Sequence, residues 1–176
     1  MSQGQEPALP VAPAEARSAT AAAVARGTIR LLQALGCTAL RELGLPSGRR
    51  ADIVALGPTG ELWIVEVKSS IADFQADHKW RDYRLHCDQL FFATGPEVPL
   101  TIFPETAGLI VADRFGGQLV REAPEHRMSA ATRRAITLRF ARTAAYRLQA
   151  LLDPTAPAGE SSADLFGAGA LEDPTM

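Results

Sequence analysis

Three charged residues interrupt two apolar segments of the chain, and their types are suited to binding a divalent cation. Asp52 lies in segment 51–56, and Glu66 and Lys68 lie in segment 62–68. An unpaired charge in a buried strand is costly, so each needs a partner. Mg²⁺ takes one or two carboxylates together with water and phosphate oxygens. Because a lysine beside such an ion can orient water and offset charge on a phosphoryl group, these residues predict metal-assisted phosphodiester hydrolysis.

The spacing predicts that the two acids face each other across a β-hairpin. If residues 58–60 form a three-residue loop, Asp52 lies opposite Glu66 in the antiparallel ladder, with Cβ atoms about 5 Å apart. Lys68 follows Glu66 by two positions, so side-chain alternation places it on the same face of the strand. Two oxygen ligands and an ammonium then converge at one end of the sheet.

An ordinary ion pair at the end of the hairpin explains the same residue types. It would join Asp52 or Glu66 to one of Lys68, Arg49 and Arg50. Exposed pairs of this kind are common and add little stability. Spacing alone therefore leaves both the metal site and the ion pair open.

Periodicity and turn residues predict the elements that position this cluster. Helices are expected at 18–35, for about sixteen residues after Ser70, and at 129–152. Strands are expected at 37–45, 51–56, 62–67, 90–93, 108–113 and 118–121. Ser70 and Asp73 have the spacing of a capping box at the start of the second helix. The fold class is α/β, a mixed central sheet flanked by helices.

Two apolar stripes define the predicted helix faces that pack on the sheet. The first helix places Val24, Thr28, Leu31, Leu32 and Leu35 on one side. The last helix places Ile136, Phe140, Ala144, Leu148 and Leu151 at helical spacing.

Composition divides the chain into a folded domain at 17–152 and two tails, 1–16 and 153–176. The tails are rich in Pro, Ala, Gly and acids and are expected to be disordered. All 18 basic residues lie in the folded domain, which suits a polyanionic ligand. No charged and apolar N-terminal targeting pattern or bilayer-length apolar run is present, so we expect a cytoplasmic, nucleoid-associated protein with no membrane partner.

Longer strings of residues resemble a known family. Residues 48–52 (GRRAD), 64–70 (IVEVKSS) and 73–80 (DFQADHKW) resemble the MmcB-related family of bacterial DNA repair proteins, within the PD-(D/E)XK nuclease superfamily. The resemblance covers about residues 24–150 and excludes both tails. It implies a restriction-endonuclease-like αβββαβ core and a DNA repair endonuclease that uses Mg²⁺, or Mn²⁺ in its place.

The resemblance assigns roles to the cluster and leaves one position unfilled. Asp52 and Glu66 become metal ligands, and Lys68 completes the catalytic set. The superfamily often has a third acid on the first helix, but 18–35 contains none. Glu42, on the first strand, is the candidate substitute if Gly44 pairs with Arg50. Without a third acid, the alternative is a DNA-binding repair factor that keeps the fold without cutting.

DNA is the expected partner, and five residues near the cluster are candidates to bind it: Arg49, Arg50, Lys79, Tyr83 and Arg84. Arginines from 127 to 147 can contact phosphate or simply form a solvated helix face. An interaction module with structural hairpin charges is a further alternative. In the acidic tail, Asp164, Leu165 and Phe166 resemble the end of a sliding-clamp-binding peptide.

Overall fold

The computed structural model describes residues 14–77 and 79–155. Its helices and strands follow the predicted order. The elements are α1 (Ala14–Ala34), β1 (Thr38–Gly44), β2 (Arg50–Leu56), β3 (Leu62–Lys68), α2 (Ile71–Ala76), β4 (Gln89–Thr94), β5 (Gly108–Ala112), β6 (Gly117–Arg121) and α3 (Ala130–Leu152). Two 3₁₀ segments, Trp80–His86 and Leu100–Ile102, lie in the connections. The α1 helix begins before the predicted residue 18.

The six strands form a mixed sheet in the order β1-β2-β3-β4-β5-β6. Strands β1, β2 and β3 are antiparallel neighbours, because tight turns join them. Strands β3, β4 and β5 are parallel, and the first crossover passes through α2 and the 3₁₀ segment Trp80–His86. Strand β6 returns antiparallel to β5. The predicted α/β class, with a mixed sheet flanked by helices, is confirmed.

Side-chain alternation divides the core into two layers. Ile53 and Val65 point to the face covered by α1, where they join one buried cluster. Val54 and Ile64 point to the other face, where α3 and the 3₁₀ segment pack. Each of these four side chains is completely buried. Because both faces are covered, β2 and β3 are apolar on both sides, except where the charged cluster interrupts them.

Helix α1 fits tightly against the β5–β6 turn. A Cβ atom at Gly27 would lie 2.0 Å from the Asp113 carbonyl oxygen and 2.3 Å from that of Gly116. Arg30 then donates to the carbonyl of Phe115 at 2.9 Å. A residue larger than glycine at position 27 would push the helix away from the turn, so the contact fixes where α1 lies.

The prediction of a helix of about sixteen residues after Ser70 is wrong in length. Helix α2 ends at Ala76, and Asp77 is extended, with φ −97° and ψ 105°. The Asp77 carboxylate accepts hydrogen bonds from Lys68 Nζ at 2.6 Å and from the Lys79 amide at 2.7 Å. These bonds hold Asp77 out of helical conformation. Half of the predicted capping box is present: Ser70 Oγ accepts from the Asp73 amide, but the Asp73 carboxylate accepts from the Ser69 amide instead of that of Ser70.

The predicted apolar stripe of α3 is correct only in the first half of the helix. Ile136 and Phe140 are buried, but Leu148 and Leu151 are 56% and 79% exposed. The second half of the helix is exposed along most of its length. Its Arg147 donates to the Arg41 carbonyl on β1 at 2.6 Å.

An ion pair stabilises the end of β3 opposite the charged cluster. Arg133 donates to both carboxylate oxygens of Asp88, at 2.7 and 2.6 Å. Asp88 also accepts from the Leu62 amide at 2.7 Å. Arg133 reaches the Gly60 carbonyl at 2.9 Å. The pair thus joins α3 to the β2–β3 hairpin and the start of β4.

Among the described residues, no helix combines the length and apolar character needed to cross a membrane.

Candidate functional site

The β2–β3 hairpin sets the register that brings the acids together. The Gly57 amide donates to the Glu61 carbonyl at 2.9 Å, which closes the three-residue loop. Gly60 takes a φ of +97°, a conformation that glycine adopts readily. Leu56 then pairs with Leu62. The predicted loop and register are confirmed, and the backbone pairing extends to Ile53 and Val65.

Beyond Ile53 and Val65, hydrogen bonds to side chains take the place of the backbone hydrogen bonds between β2 and β3. The Asp52 amide donates to Glu66 Oε1 at 3.3 Å, and the Val67 amide donates to Asp52 Oδ2 at 2.9 Å. Each carboxylate therefore reaches across to the backbone of the opposite strand. Asp52 and Glu66 lie together as predicted, and their side chains satisfy backbone donors that the sheet leaves unpaired.

Lys68 completes the cluster on the same side of β3. Its Nζ lies 3.7 Å from Glu66 Oε2 and 2.6 Å from Asp77 Oδ2. The side chains of Lys68 and Glu66 are only 7% and 5% exposed. Asp77 is not among the site residues predicted from the sequence. We refer to Asp52, Glu66, Lys68 and Asp77 as the acid–lysine cluster.

Burial and mutual repulsion disfavour two charged acids in this cluster. Burial, followed by the charge of Asp52, raises the pKa of Glu66 to about 8. Burial also raises the pKa of Asp52. For Lys68, burial opposes the charge, but the hydrogen bond to Asp77 and the charge of Glu66 outweigh it and raise its pKa. Three carboxylates around one ammonium leave excess negative charge, which a proton or a metal cation can neutralise.

Asp52 and Glu66 are the two residues that could hold a magnesium ion with part of its water shell. Across residues 14–77 and 79–155, no three His, Cys, Asp or Glu side chains are grouped to hold a metal. The Asp52–Glu66 pair is the smaller ligand set that Mg²⁺ uses when water and phosphate oxygens fill the other positions. Burial raises the pKa of both acids, and the charge of Asp52 adds to this at Glu66, so a cation between them would offset their negative charge.

Glu42 lies beside the cluster, with its side chain exposed. Gly44 pairs with Arg50, as the prediction required. Glu42 has a φ of +52°, in the left-handed region, and its exposed carboxylate lies 3.8 Å from Arg50 Nη1. It lines the same cavity as Asp52 and Glu66. Its role as a third acid stays a prediction.

A cavity of about 390 Å³ opens onto the cluster. Its walls come from α1, β1, β2, β3 and the segments after β3, and they are formed by Ser18, Ala21, Ala22, Ala25, Arg41, Glu42, Arg50, Asp52, Glu66, Val67, Lys68, Asp73 and Tyr83. Asp73 also accepts a hydrogen bond from the Ser69 amide at 2.9 Å. Asp73 thus holds the backbone just before α2 and also lines the cavity.

The five predicted DNA-binding residues differ in how accessible they are. Arg50 and Lys79 are exposed. Arg49 forms an ion pair with Asp82, and Arg84 donates to the Thr106 carbonyl. Tyr83 is 6% exposed, and its hydroxyl donates to the Arg50 carbonyl at 3.1 Å. The structure therefore leaves Arg50 and Lys79 with the most surface for a phosphate backbone.

Several arginines near the C-terminus of the domain make intramolecular contacts. Arg139 donates to the Gly44 carbonyl at 3.1 Å, and Arg133 and Arg147 bind backbone carbonyls as described above. These bonds stabilise β1 and the hairpin. The candidate clamp-binding residues Asp164, Leu165 and Phe166 lie outside the described residues.

Comparisons with known proteins identify one family and one related structure. A family model described as DNA repair protein MmcB-like matches residues 9–155. A solved structure of SPO1766, a protein of unknown function from Silicibacter pomeroyi, has a TM-score of 0.77 and 42% sequence identity. The match covers 81% of this chain and 97% of that one. No functionally curated protein matches the chain.

Proposed function

This chain belongs to the MmcB-like family of DNA repair proteins, and from that premise we propose that it is a restriction-endonuclease-like nuclease of the PD-(D/E)XK type. Its reaction is metal-dependent hydrolysis of DNA phosphodiesters during repair. The observation that supports this most directly is the meeting of Asp52 and Glu66 where the β2–β3 ladder ends, with Lys68 Nζ 3.7 Å from Glu66.

Asp52 and Glu66 would hold the metal ion. When bound, Mg²⁺ supplies Lewis-acid polarisation of a phosphoryl oxygen and lowers the pKa of a coordinated water. The two carboxylates are already held in place, because each accepts a backbone N–H from the opposite strand. Little reorganisation is then needed to bring ligands into position.

Lys68 orients the attacking water and offsets the negative charge that develops on the phosphoryl group. Its ammonium is held by Asp77 at 2.6 Å, so it points toward Glu66 instead of into solvent. In this buried setting a fixed charge acts more strongly than it would in water. Asp77 is therefore a positioning residue in the proposal.

Purified full-length protein incubated with labelled DNA and Mg²⁺ or Mn²⁺ tests the proposal. The substrates are single-stranded, nicked and branched DNA, with EDTA as the metal-free control. We expect Glu66→Gln and Lys68→Ala to lower cleavage by about 100-fold or more. Glu61→Gln, a half-buried acid on the same hairpin but outside the acid–lysine cluster, is the matched control and should cut normally. Cleavage that persists in Glu66→Gln would assign the activity elsewhere.

The second candidate is a repair factor that binds DNA without cutting it. The observation in its favour is the incomplete ligand set: among the described residues no three acid, His or Cys side chains are grouped to hold a metal, and Glu42 is exposed, 3.8 Å from Arg50. This protein would bind DNA with a strong salt dependence, through residues such as Arg50 and Lys79. Its signature is salt-sensitive binding to every DNA form with no cleavage under any metal.

A further inference from the structure

The acid–lysine cluster lies at the bottom of a recess. The side chains of Glu66 and Lys68 are 5% and 7% exposed, although the cavity above them is open to solvent. A phosphate group that reacts there must enter the cavity, because contact with the outer surface would leave it too far from the acids. The cavity is therefore a filter on the shape of the substrate.

The size of the recess suits a single nucleotide. Its volume of about 390 Å³ lies near the lower end of the roughly 300–1,000 Å³ range for small-molecule pockets. A double helix is a stiff rod, with a persistence length of about 150 base pairs. Its phosphates cannot move far from the helix surface without unpairing. A single strand bends freely and can place one phosphate into a recess of this size.

The walls of the recess are held firmly, so a simple outward movement of α1 is costly. Ser18 and Ala22 of α1 form one wall. The same helix is fixed at Gly27, where a Cβ would lie 2.0 Å from the Asp113 carbonyl oxygen. Arg30 adds a hydrogen bond to the Phe115 carbonyl. These contacts couple the wall to the β5–β6 turn.

The opposite rim carries positive charge. Arg41 and Arg50 line the cavity and are exposed, on the side of β1 and β2. The α1 wall consists of small residues, which leave space for a sugar–phosphate chain. Cations along one side of a narrow groove are the usual means of following a single-stranded backbone.

We infer that the site takes a DNA strand that is unpaired at the bond to be cut, and that intact duplex is a poor substrate. This inference rests on the proposed function and specifies its substrate class. It also predicts which part of the protein enforces the preference: the α1 wall, through the small side chains at positions 18 and 22.

The experiment compares one fluorescently labelled oligonucleotide as a single strand and annealed to its complement. Full-length protein is assayed for binding by anisotropy in Ca²⁺ and for cleavage in Mg²⁺. The single strand should be bound and cut at least about tenfold better than the duplex. Ala22→Phe fills the recess and should lower single-strand cleavage about 100-fold, since small displacements of a reacting group are costly.

Ala19→Phe is the matched control, because Ala19 is exposed on the same helix but does not line the cavity. It should behave as the wild type does. Ser18→Leu is a second obstructing variant in case Ala22→Phe folds poorly, and circular dichroism checks all three. Duplex cut as fast as single strand, or full activity in both obstructed variants, would overturn the inference and leave the nuclease intact.

Failure of the proposed function gives a different result. If no DNA form is cut, the nuclease proposal is wrong, while the binding comparison still tests the recess. Single-strand binding that is weakened by Ala22→Phe but not by Ala19→Phe would support the recess as a strand site. Equal binding of single-stranded and duplex DNA by every variant would overturn the inference that the recess is a strand site.

Discussion

The two ends of strand β3 each place acids beside a base, but their charges balance differently. At the start of the strand, one carboxylate of Asp88 meets one guanidinium of Arg133 through two hydrogen bonds. At its end, one ammonium of Lys68 faces Glu66 and Asp77, with Asp52 close to Glu66. In the first arrangement one negative charge is balanced by one positive charge. In the second, the carboxylates outnumber the ammonium.

The pKa shifts reflect this difference. Burial acts to raise the pKa of Asp88, but the hydrogen bonds from Arg133 outweigh it, so the pKa of Asp88 is lowered. Glu66 has no comparable partner, and burial with repulsion from Asp52 raises its pKa to about 8. A satisfied ion pair is structural, whereas crowded acids are typical of functional sites. The same residue types thus serve different purposes at the two ends.

Removing the base from each end should give the sharpest contrast. Lys68→Met leaves buried carboxylates without their ammonium and should cost about 3–5 kcal/mol of unfolding free energy at pH 8. Arg133→Met should cost less, because its side chain is 37% exposed. Urea unfolding with and without Mg²⁺ measures both. Mg²⁺ should restore part of the lost unfolding free energy in Lys68→Met but not in Arg133→Met. Equal restoration in both variants would mean that the two ends of β3 do not differ in this respect.

Removing the acid from the structural end should cost about 2 kcal/mol, because it leaves the Leu62 amide without its acceptor and breaks the pair with Arg133. Asp88→Ala is the variant, and urea unfolding at pH 7 is the measurement. Asp88→Asn is the control, since it keeps an acceptor for the amide and should cost less. Metal affinity should be unchanged in both variants, and a loss of affinity would mean that the two ends are coupled.

The two ends should respond to pH with opposite signs. Folded Glu66 keeps its proton up to about pH 8, while the unfolded chain releases it near pH 4.5. The folded state binds more protons in this window, so stability in EDTA falls as pH rises from 5 to 8. The slope is at most about 1.4 kcal/mol per pH unit.

For Asp88 the lowered pKa gives stability that is present at neutral pH and lost as the pH falls below about 4. Urea unfolding across pH 3 to 8 separates the two effects. Glu66→Gln should remove the fall in unfolding free energy between pH 5 and 8. Asp88→Asn should change the unfolding free energy only below about pH 4. A slope that survives in Glu66→Gln would mean that another group is responsible.

Local sequence signals were sufficient for most of the sheet and for the acid pair. Turn residues between Gly57 and Gly60 set the loop length, and the loop length set the register. With the register known, alternation alone placed Lys68 beside Glu66. These inferences depend on residues close in sequence, where the rules of strand geometry leave few alternatives.

Features that depend on distant contacts were not predictable in the same way. Helix α2 ends at Ala76 because Asp77 binds Lys68, a contact that no helical periodicity reveals. The stripe of α3 continues in sequence to Leu151, but the apolar pattern cannot show where the neighbouring sheet ends. Arginine also binds backbone carbonyls, as Arg147 does, and that role has no sequence signature.

Backbone strain gives a smaller contrast between the two ends of β3. Among residues 14–77 and 79–155, Glu42 beside the acid–lysine cluster is the non-glycine residue with a positive φ, +52°. Such a conformation costs a non-glycine residue about 1 kcal/mol. Strain of this kind is often retained at functional sites. Within the described part of the chain, no non-glycine residue near Asp88 has a positive φ.

Replacing Glu42 separates strain from function. Glu42→Gly should be about 1 kcal/mol more stable than Glu42→Ala, since both lose the carboxylate but alanine keeps the Cβ that disfavours this conformation. Thermal unfolding measures the difference, and calorimetric titration with Mn²⁺ measures metal affinity. If Glu42 is the third acid, both variants should bind metal more weakly and to the same extent, although one is more stable. Wild-type affinity in both would reduce Glu42 to a feature of strand geometry and leave Asp52 and Glu66 as the whole carboxylate set.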